Sequence, residues 1–160
     1  MIILDLGCGD FNVGSKLTSF SKHYIAADIV EELILHNSVK FRHLSNTNFI
    51  KLSITEDSFP EADVLILRQV LQHLSNSDIM TVLPKLAKFK YVIITEAIPN
   101  GDFEENKDNF TGPDIRLSNK SGVVLDFPPF NFEYLDKSVL IDIHDEKDEA
   151  IIRTTLYKLI

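Results

Sequence analysis

Apolar stretches of strand length alternate along the chain with stretches in which apolar residues recur every three or four positions. Ile2–Leu6 is apolar except for Asp5 and stops at Gly7, the pattern of a strand buried on both faces. Val13, Leu17 and Phe20 follow at helical spacing, and Tyr24–Ala27 predicts a second short strand closing on Asp28. Glu31–His36 predicts a helix to which Leu33, Ile34 and Leu35 give a broad apolar face. Phe49, Ile50, Leu52 and Ile54 mark a third strand, Ala62–Leu67 a fourth announced by Pro60, and Tyr91–Thr95 a fifth. Before that fifth strand, Ser77 or Asp78 is expected to cap a helix with the buried stripe Ile79, Val82, Leu83, Leu86 and Phe89. Pro84 lies in this stripe and is expected to kink or restart the helix.

The rhythm breaks between Pro99 and Lys120, a polar stretch with few apolar residues. A loop of this length in a compact domain is usually functional or disordered. Its composition predicts the most mobile part of the chain, one that orders over a bound substrate. Val139–Ile143 and Ala150–Leu159, joined by the acidic segment His144–Glu149, then predict an antiparallel hairpin. Strand–helix alternation implies a parallel sheet with helices on both faces, and no linker or repeat divides it. The expectation is one α/β domain over residues 1–160, closed by an antiparallel hairpin strand.

Composition narrows the function more than the fold. The 160 residues are 44% hydrophobic and 25% charged, as in ordinary globular domains. The net charge of −8, with no Lys/Arg cluster, argues against phosphate backbones as partners. No apolar run reaches the roughly 20 residues needed to span a bilayer. The first residues lack the basic region and cleavage site of a signal peptide, so a cytoplasmic location with no membrane partner is expected. Cys8 is the single cysteine, which rules out an internal disulfide. His23, His36, His43 and His144 show no metal-ligand spacing, and no metal is expected.

The candidate chemistry gathers at strand ends. Leu4-Asp5-Leu6-Gly7-Cys8-Gly9-Asp10-Phe11 is a strand running into a turn with alternate glycines. Glycine lets a ligand approach the backbone closely. Two glycines alone fit an ordinary strand–turn–helix, but a carboxylate in an apolar strand is costly without a partner, and Asp5 tips the reading toward a site. Asp28 has two readings that can hold together: an acceptor for ribose hydroxyls about 20 residues beyond a glycine turn, and a helix N-cap. A third glycine, as dinucleotide binders require, would fall at Asn12, which disfavours a nucleotide-dependent oxidoreductase.

Leu4–Phe11 resembles the first motif of class I S-adenosylmethionine-dependent methyltransferases. Ala62–Ser75 resembles their fourth strand and following loop. With Val70–Ser75 and Pro128–Phe132, the chain is similar over nearly its whole length to small bacterial methyltransferases of poorly defined substrate. The resemblance implies a Rossmann-like three-layer sandwich with a mostly parallel seven-stranded sheet and an antiparallel last strand. It implies S-adenosyl-L-methionine as cofactor, with the backbone of Gly7, Cys8 and Gly9 beside its methionine part. Asp5 would orient the amino group through water, Asp28 would hold the ribose, Ile29 would flank the adenine, and Ser53 and Ile54 would meet the adenine edge. Ser53 departs from the acidic residue common there, and the usual N-terminal helices are lacking.

Those missing helices imply an open site, closed by a second subunit in a homodimer or by the Pro99–Lys120 loop. His73 follows the fourth strand, either as a general base or acceptor-orienting group or as a helix-start histidine bonded to local backbone. Arg68 lies near the same place, either at the site or in a structural ion pair. Cys8 reads as a small residue tolerated in the turn rather than a nucleophile. Pro128–Phe132 reads as an apolar wall of the acceptor pocket or as the approach to the hairpin. The expected reaction is in-line methyl transfer to a small-molecule acceptor, sugar-like metabolites included. The alternative is a non-catalytic cofactor-binding module with a decayed site.

Overall fold

The computed structural model describes residues 1–159. Five strands run parallel: β1 (Ile2–Leu6), β2 (His23–Asp28), β3 (Thr47–Lys51), β4 (Val64–Arg68) and β5 (Tyr91–Pro99). A hairpin of β6 (Asp136–Asp145) and β7 (Ala150–Lys158) completes one seven-stranded sheet in the order β3-β2-β1-β4-β5-β7-β6. β7 enters antiparallel to β5 and is the one strand that runs against the rest. Three α-helices are present: α1 (Gly14–Leu17), α2 (Glu31–Lys40) and α3 (Asn76–Leu86). No helix among the described residues is long and apolar enough to cross a membrane.

The sheet divides the core in two because successive strand residues point to opposite faces. Leu4 and Leu6 join Leu65, Leu67, Val92 and Ile94 on the face covered by α3. Ile3 joins Tyr24, Ala26, Phe11, Ile34 and Phe41 on the other. Phe11 is the hub there, edge-on to Tyr24, Phe41 and Phe49 at centroid distances of 5.6, 5.1 and 4.9 Å. Gly14 is close-packed here: an added Cβ would lie 2.4 Å from Phe11 Cε2 and 2.6 Å from Asp5 Oδ2.

Several local expectations are corrected. The stretch after the first turn is only one turn of α1 plus a 3-10 turn at Thr18–Phe20, and both Val13 and Phe20 are exposed. α2 buries Ile34 but leaves Leu35 exposed, so its apolar face is narrow. The N-cap of α3 is Ser75, whose Oγ accepts from the Asp78 amide at 3.1 Å, rather than Ser77 or Asp78. Pro84 does not restart α3, since the helix runs on to Leu86. The stripe Ile79, Val82, Leu83, Leu86 and Phe89 is buried as its periodicity predicts. β6 is an edge strand with Val139, Leu140, Ile141 and Ile143 all about half exposed, and its register slips between Val139 and Ile141.

The long loop after β5 is anchored by polar groups, which a search for apolar anchors overlooks. Asn106 is buried, and its amide nitrogen donates toward the carbonyls of Val124, Phe127 and Pro128 at 2.8, 3.2 and 3.0 Å. Its Oδ1 accepts from the Val124 amide at 2.8 Å. Arg116 is 1% exposed and donates to the carbonyls of Lys107 and Leu74 at 2.8 and 2.5 Å. Asn106→Ala strands these backbone groups without partners. It is predicted to lower stability by about 1–3 kcal/mol, read as an earlier urea midpoint. An unchanged midpoint would show that the loop is held by other contacts.

Candidate active site

The site forms where the parallel strands end, at the carboxyl edge of β1, β2 and β4. Asymmetric crossovers on either side of β1 open a crevice there, the usual ligand position in doubly wound sheets. Gly7 leaves β1 with φ +80°, and an added Cβ would lie 2.3 Å from Val70 Cγ2. Only glycine therefore allows the β1 turn and the loop after β4 to approach this closely. The amides of Gly7 and Cys8 both donate to the Ala27 carbonyl, at 2.8 and 3.0 Å, tying the turn to the end of β2.

A cavity of about 370 Å³ opens beside this turn. Leu6, Gly7, Asp28, Ile29, Ser53, Ile54, Arg68 and His73 line it. Three candidates stand outside this lining. Asp5 lies behind the turn, 5% exposed, with Oδ2 accepting from the Tyr24 hydroxyl at 2.9 Å. Cys8 is buried in the core with Phe11, where burial pushes its thiol well above the usual range and leaves it inert. Gly9 donates its amide to Asp28 Oδ2 at 3.0 Å and accepts from the Asn37 side chain at 2.7 Å.

Asp28 is not the cap of α2, whose N-cap is Val30. Its two oxygens accept from the Gly9 and Val30 amides, both at 3.0 Å, and hold the turns after β1 and β2 together. A carboxylate has about four acceptor positions, so one on each oxygen remains. Arg68 forms no ion pair with a described residue, and its charge helps to offset that of Asp5. Pro128–Phe132 lies outside the cavity lining. Phe130 is buried in the main core and Phe132 packs edge-on to Tyr157 at 5.6 Å. Among the described residues no group of His, Cys, Asp and Glu is placed to hold a metal ion.

The loop after β4 carries the remaining chemistry. Gln69 turns it sharply with φ +56°, its amide donating to the Thr95 carbonyl at 2.7 Å. A 3-10 turn at Leu71–His73 follows. His73 Nδ1 lies 3.2 Å from the Gly112 carbonyl, and the Gly112 amide donates to the His73 carbonyl at 2.9 Å. A carbonyl only accepts, so Nδ1 carries the proton and Nε2 of the neutral ring keeps its lone pair. The ring's partner lies 39 residues downstream, so the imidazole is not bonded to local backbone, although the His73 amide donates to the Val70 carbonyl at 3.1 Å. Thr111 and Gly112 also line the cavity, so the loop after β5 reaches the site.

Glu96, Gln72 and Arg116, which sequence reasoning passed over, support this loop from beneath. Glu96 in β5 is 4% exposed; Oε1 accepts from Val70 and Leu71 at 3.3 and 2.9 Å, and Oε2 from Gln72 at 3.0 Å. Gln72 Oε1 in turn accepts from the Ala97 amide at 3.2 Å. The available signal was one acidic residue in the middle of an apolar strand, the same signal that drew attention to Asp5.

This crevice and glycine turn define a Rossmann-like binding site for a nucleoside-bearing ligand. The chain belongs to the methyltransferase-domain family, whose profile matches residues 3–89. It is a class I S-adenosylmethionine-dependent methyltransferase. Similar solved structures include the N-methyltransferase NodS of Bradyrhizobium japonicum in complex with S-adenosyl-L-homocysteine. That match has TM-score 0.71 and 12% identity, and covers 98% of this chain and 77% of that one. The N-terminal domain of EvdMO1, crystallised with S-adenosylhomocysteine and D-fucose, has TM-score 0.70 and 10% identity over 99% of this chain and 76% of that one. The methyltransferase domain of bacterial CtHen1 has TM-score 0.68 and 16% identity over 98% and 88%. At these identities the likeness is one of fold. No curated protein matches the sequence.

Burial raises the Asp5 carboxyl to about 6, against the Tyr24 hydrogen bond and the Arg68 charge. Burial likewise raises Glu96 to about 8, against its three amide donors and Arg116. The folded chain thus holds both protons more tightly than the unfolded chain. The resulting stability is complete below pH 3.8 for Asp5 and 4.5 for Glu96, and is lost as pH rises through about 6 and about 8. The melting temperature is predicted to fall across this window. Asp5→Asn should flatten the lower half of the fall. A melting temperature that rises over the same range would contradict this assignment of proton uptake.

Proposed function

We propose that this methyltransferase carries a methyl group to a small-molecule acceptor, sugar-like metabolites included, with His73 as general base. One observation carries the proposal: His73 stands on the cavity wall with Nδ1 3.2 Å from the Gly112 carbonyl, an acceptor that favours the proton on Nδ1 and leaves Nε2 to accept one. The structural neighbour crystallised with D-fucose supports the acceptor class. The net charge of −8 supports a metabolite over nucleic acid, and a cytoplasmic setting fits the same composition.

The cavity fits the cofactor in size and in chemistry. Its volume of about 370 Å³ lies in the range of small-ligand sites, and Gly7 lets Val70 close the wall directly against the glycine turn. Asp28 has acceptor positions left for the ribose hydroxyls. Ile29, Leu52 and Ile54 offer apolar contact to the adenine, and the Ser53 hydroxyl replaces a carboxylate at its edge. Arg68 offers its guanidinium to the cofactor carboxylate. Oδ1 of Asp5 takes no hydrogen bond from a described residue and is left to orient the amino group through water from behind the turn. When bound, S-adenosylmethionine supplies a methyl group already activated on its sulfonium. The chain's own task is then to hold the acceptor in line and to take its proton at His73 Nε2. Alignment of this kind contributes about 7–11 kcal/mol, and a positioned base about 10²–10⁴-fold.

S-adenosylhomocysteine at 100-fold over its dissociation constant is predicted to add about 2.7 kcal/mol of stability. Asp28→Ala should weaken that binding by about 1.5–3 kcal/mol while the fold persists. Calorimetry checks both, and no heat or thermal shift at millimolar ligand would sink the cofactor assignment. His73→Ala should lower turnover on a responsive acceptor by about 10²-fold or more with cofactor affinity unchanged. A loss confined to cofactor affinity would place His73 in the cofactor pocket alone.

A further inference from the structure

The turn from Val70 to Leu74 is gripped by two buried ionisable side chains, Glu96 and Arg116, that do not line the cavity. Beneath it, the Glu96 carboxylate takes three consecutive amides, Val70, Leu71 and Gln72, at 2.9–3.3 Å. On the far side of His73, the Arg116 guanidinium donates to the Leu74 carbonyl at 2.5 Å and to the Lys107 carbonyl at 2.8 Å. His73 sits between these two grips, and Gly112, four residues before Arg116 in the same loop, fixes its ring and its carbonyl.

We propose that Glu96 and Arg116 are positioning residues, one locking the backbone before His73 and the other the backbone after it, so that the imidazole faces the cavity in a single tautomer. The inference rests on the reading of His73 as the proton acceptor.

Two facts favour positioning over a merely structural part. Each grip falls within three residues of His73, on the backbone that carries it, and neither side chain lines the cavity itself. Both residues are also costly to bury. Among the described residues Arg116 Nε has no partner, and Arg116 forms no ion pair. A buried polar atom left unpaired is unfavourable and tends to mark places where placement matters more than stability. Gln72 reinforces the lock by accepting from Ala97, the residue after Glu96. The post-β4 turn is thereby stitched to β5 in both directions. Arg116 extends the same frame to the loop that carries Gly112.

The test reads the His73 ring itself by ¹⁵N NMR, in the full chain with and without S-adenosylhomocysteine. The unaltered protein should show one tautomer with Nδ1 protonated. Glu96→Gln puts an amide NH₂ against a backbone N–H. It should give a mixture in which Nε2–H, the form preferred by a histidine side chain in water, gains at least several-fold. Hydrogen exchange at Leu71 and Gln72 should quicken by 10-fold or more, while calorimetry shows S-adenosylhomocysteine affinity within about threefold. A folded Glu96→Gln protein with one unchanged tautomer and unchanged exchange overturns the proposal. Should that variant fail to fold, Arg116→Lys keeps the charge but reaches one carbonyl instead of two. It should mix the tautomers likewise, and a single tautomer there overturns the proposal equally. Failure of the unaltered protein to bind S-adenosylhomocysteine would count against the cofactor assignment and would leave the ring readout to be judged on its own.

Discussion

Glu96 enters the sheet as an acidic side chain in an otherwise apolar stretch of β5, and the amides of Val70, Leu71 and Gln72 are what allow it there. The dependence runs both ways. The chain leaves β4 through a left-handed Gln69, after which three consecutive amides point into the protein, where no water can satisfy them. A carboxylate is the one side chain able to accept all three. Without it these buried amides are left unpaired, at a cost of about 1–3 kcal/mol each. The site is thus built less by the glycine turn alone than by a pair of turns held in register from beneath.

The face of the sheet under α3 is secured in two ways. Beneath α3, close-packed apolar side chains from Leu4 to Phe89 supply the cohesion, and Val123, Leu125 and Phe130 join the same cluster. The segment after β5 has no helix of comparable size to offer, only a 3-10 turn at Arg116–Asn119. Asn106 and Arg116 compensate by saturating carbonyls that a helix would have satisfied internally. Such polar bonding is directional, so it sets where the loop lies more sharply than apolar packing would. This allows Thr111 and Gly112 to serve as wall elements of a binding site despite their place in a long irregular segment.

The architecture was legible because it rests on periodicity. Ile2–Leu6, Ala62–Leu67 and the stripe of α3 state their environment in residue order alone, and the turn at Gly7 announces itself through the loss of side chains. Most of the cavity lining followed, since strand ends converge wherever parallel strands do. What remained hidden was long-range and polar. Nothing near Arg116 in the sequence points to the Leu74 carbonyl, 42 residues away. Asp5 and Glu96 show the limit of the same signal. Both are acids in apolar strands, but one meets a tyrosine hydroxyl and the other a row of amides, and the choice is made by neighbouring strands. Pro128–Phe132 misled for the opposite reason, because stiff apolar residues suit a pocket wall and a core equally well, and here the core claims Phe130.

The strand order has a consequence for how the chain is made. β7, the later strand, lies between β5 and β6, so β6 has no partner in the sheet except a segment synthesised after it. Until residues Ala150–Lys158 emerge from the ribosome, the open edge of β5 and the apolar side chains of β6 both wait uncovered. The last step of sheet assembly is then a double capture, in which one arriving strand closes two edges at once. A chain lacking that strand leaves the backbone of both β5 and β6 unpaired along these edges, beside Val139, Leu140, Ile141 and Ile143, which stay about half exposed even in the finished sheet.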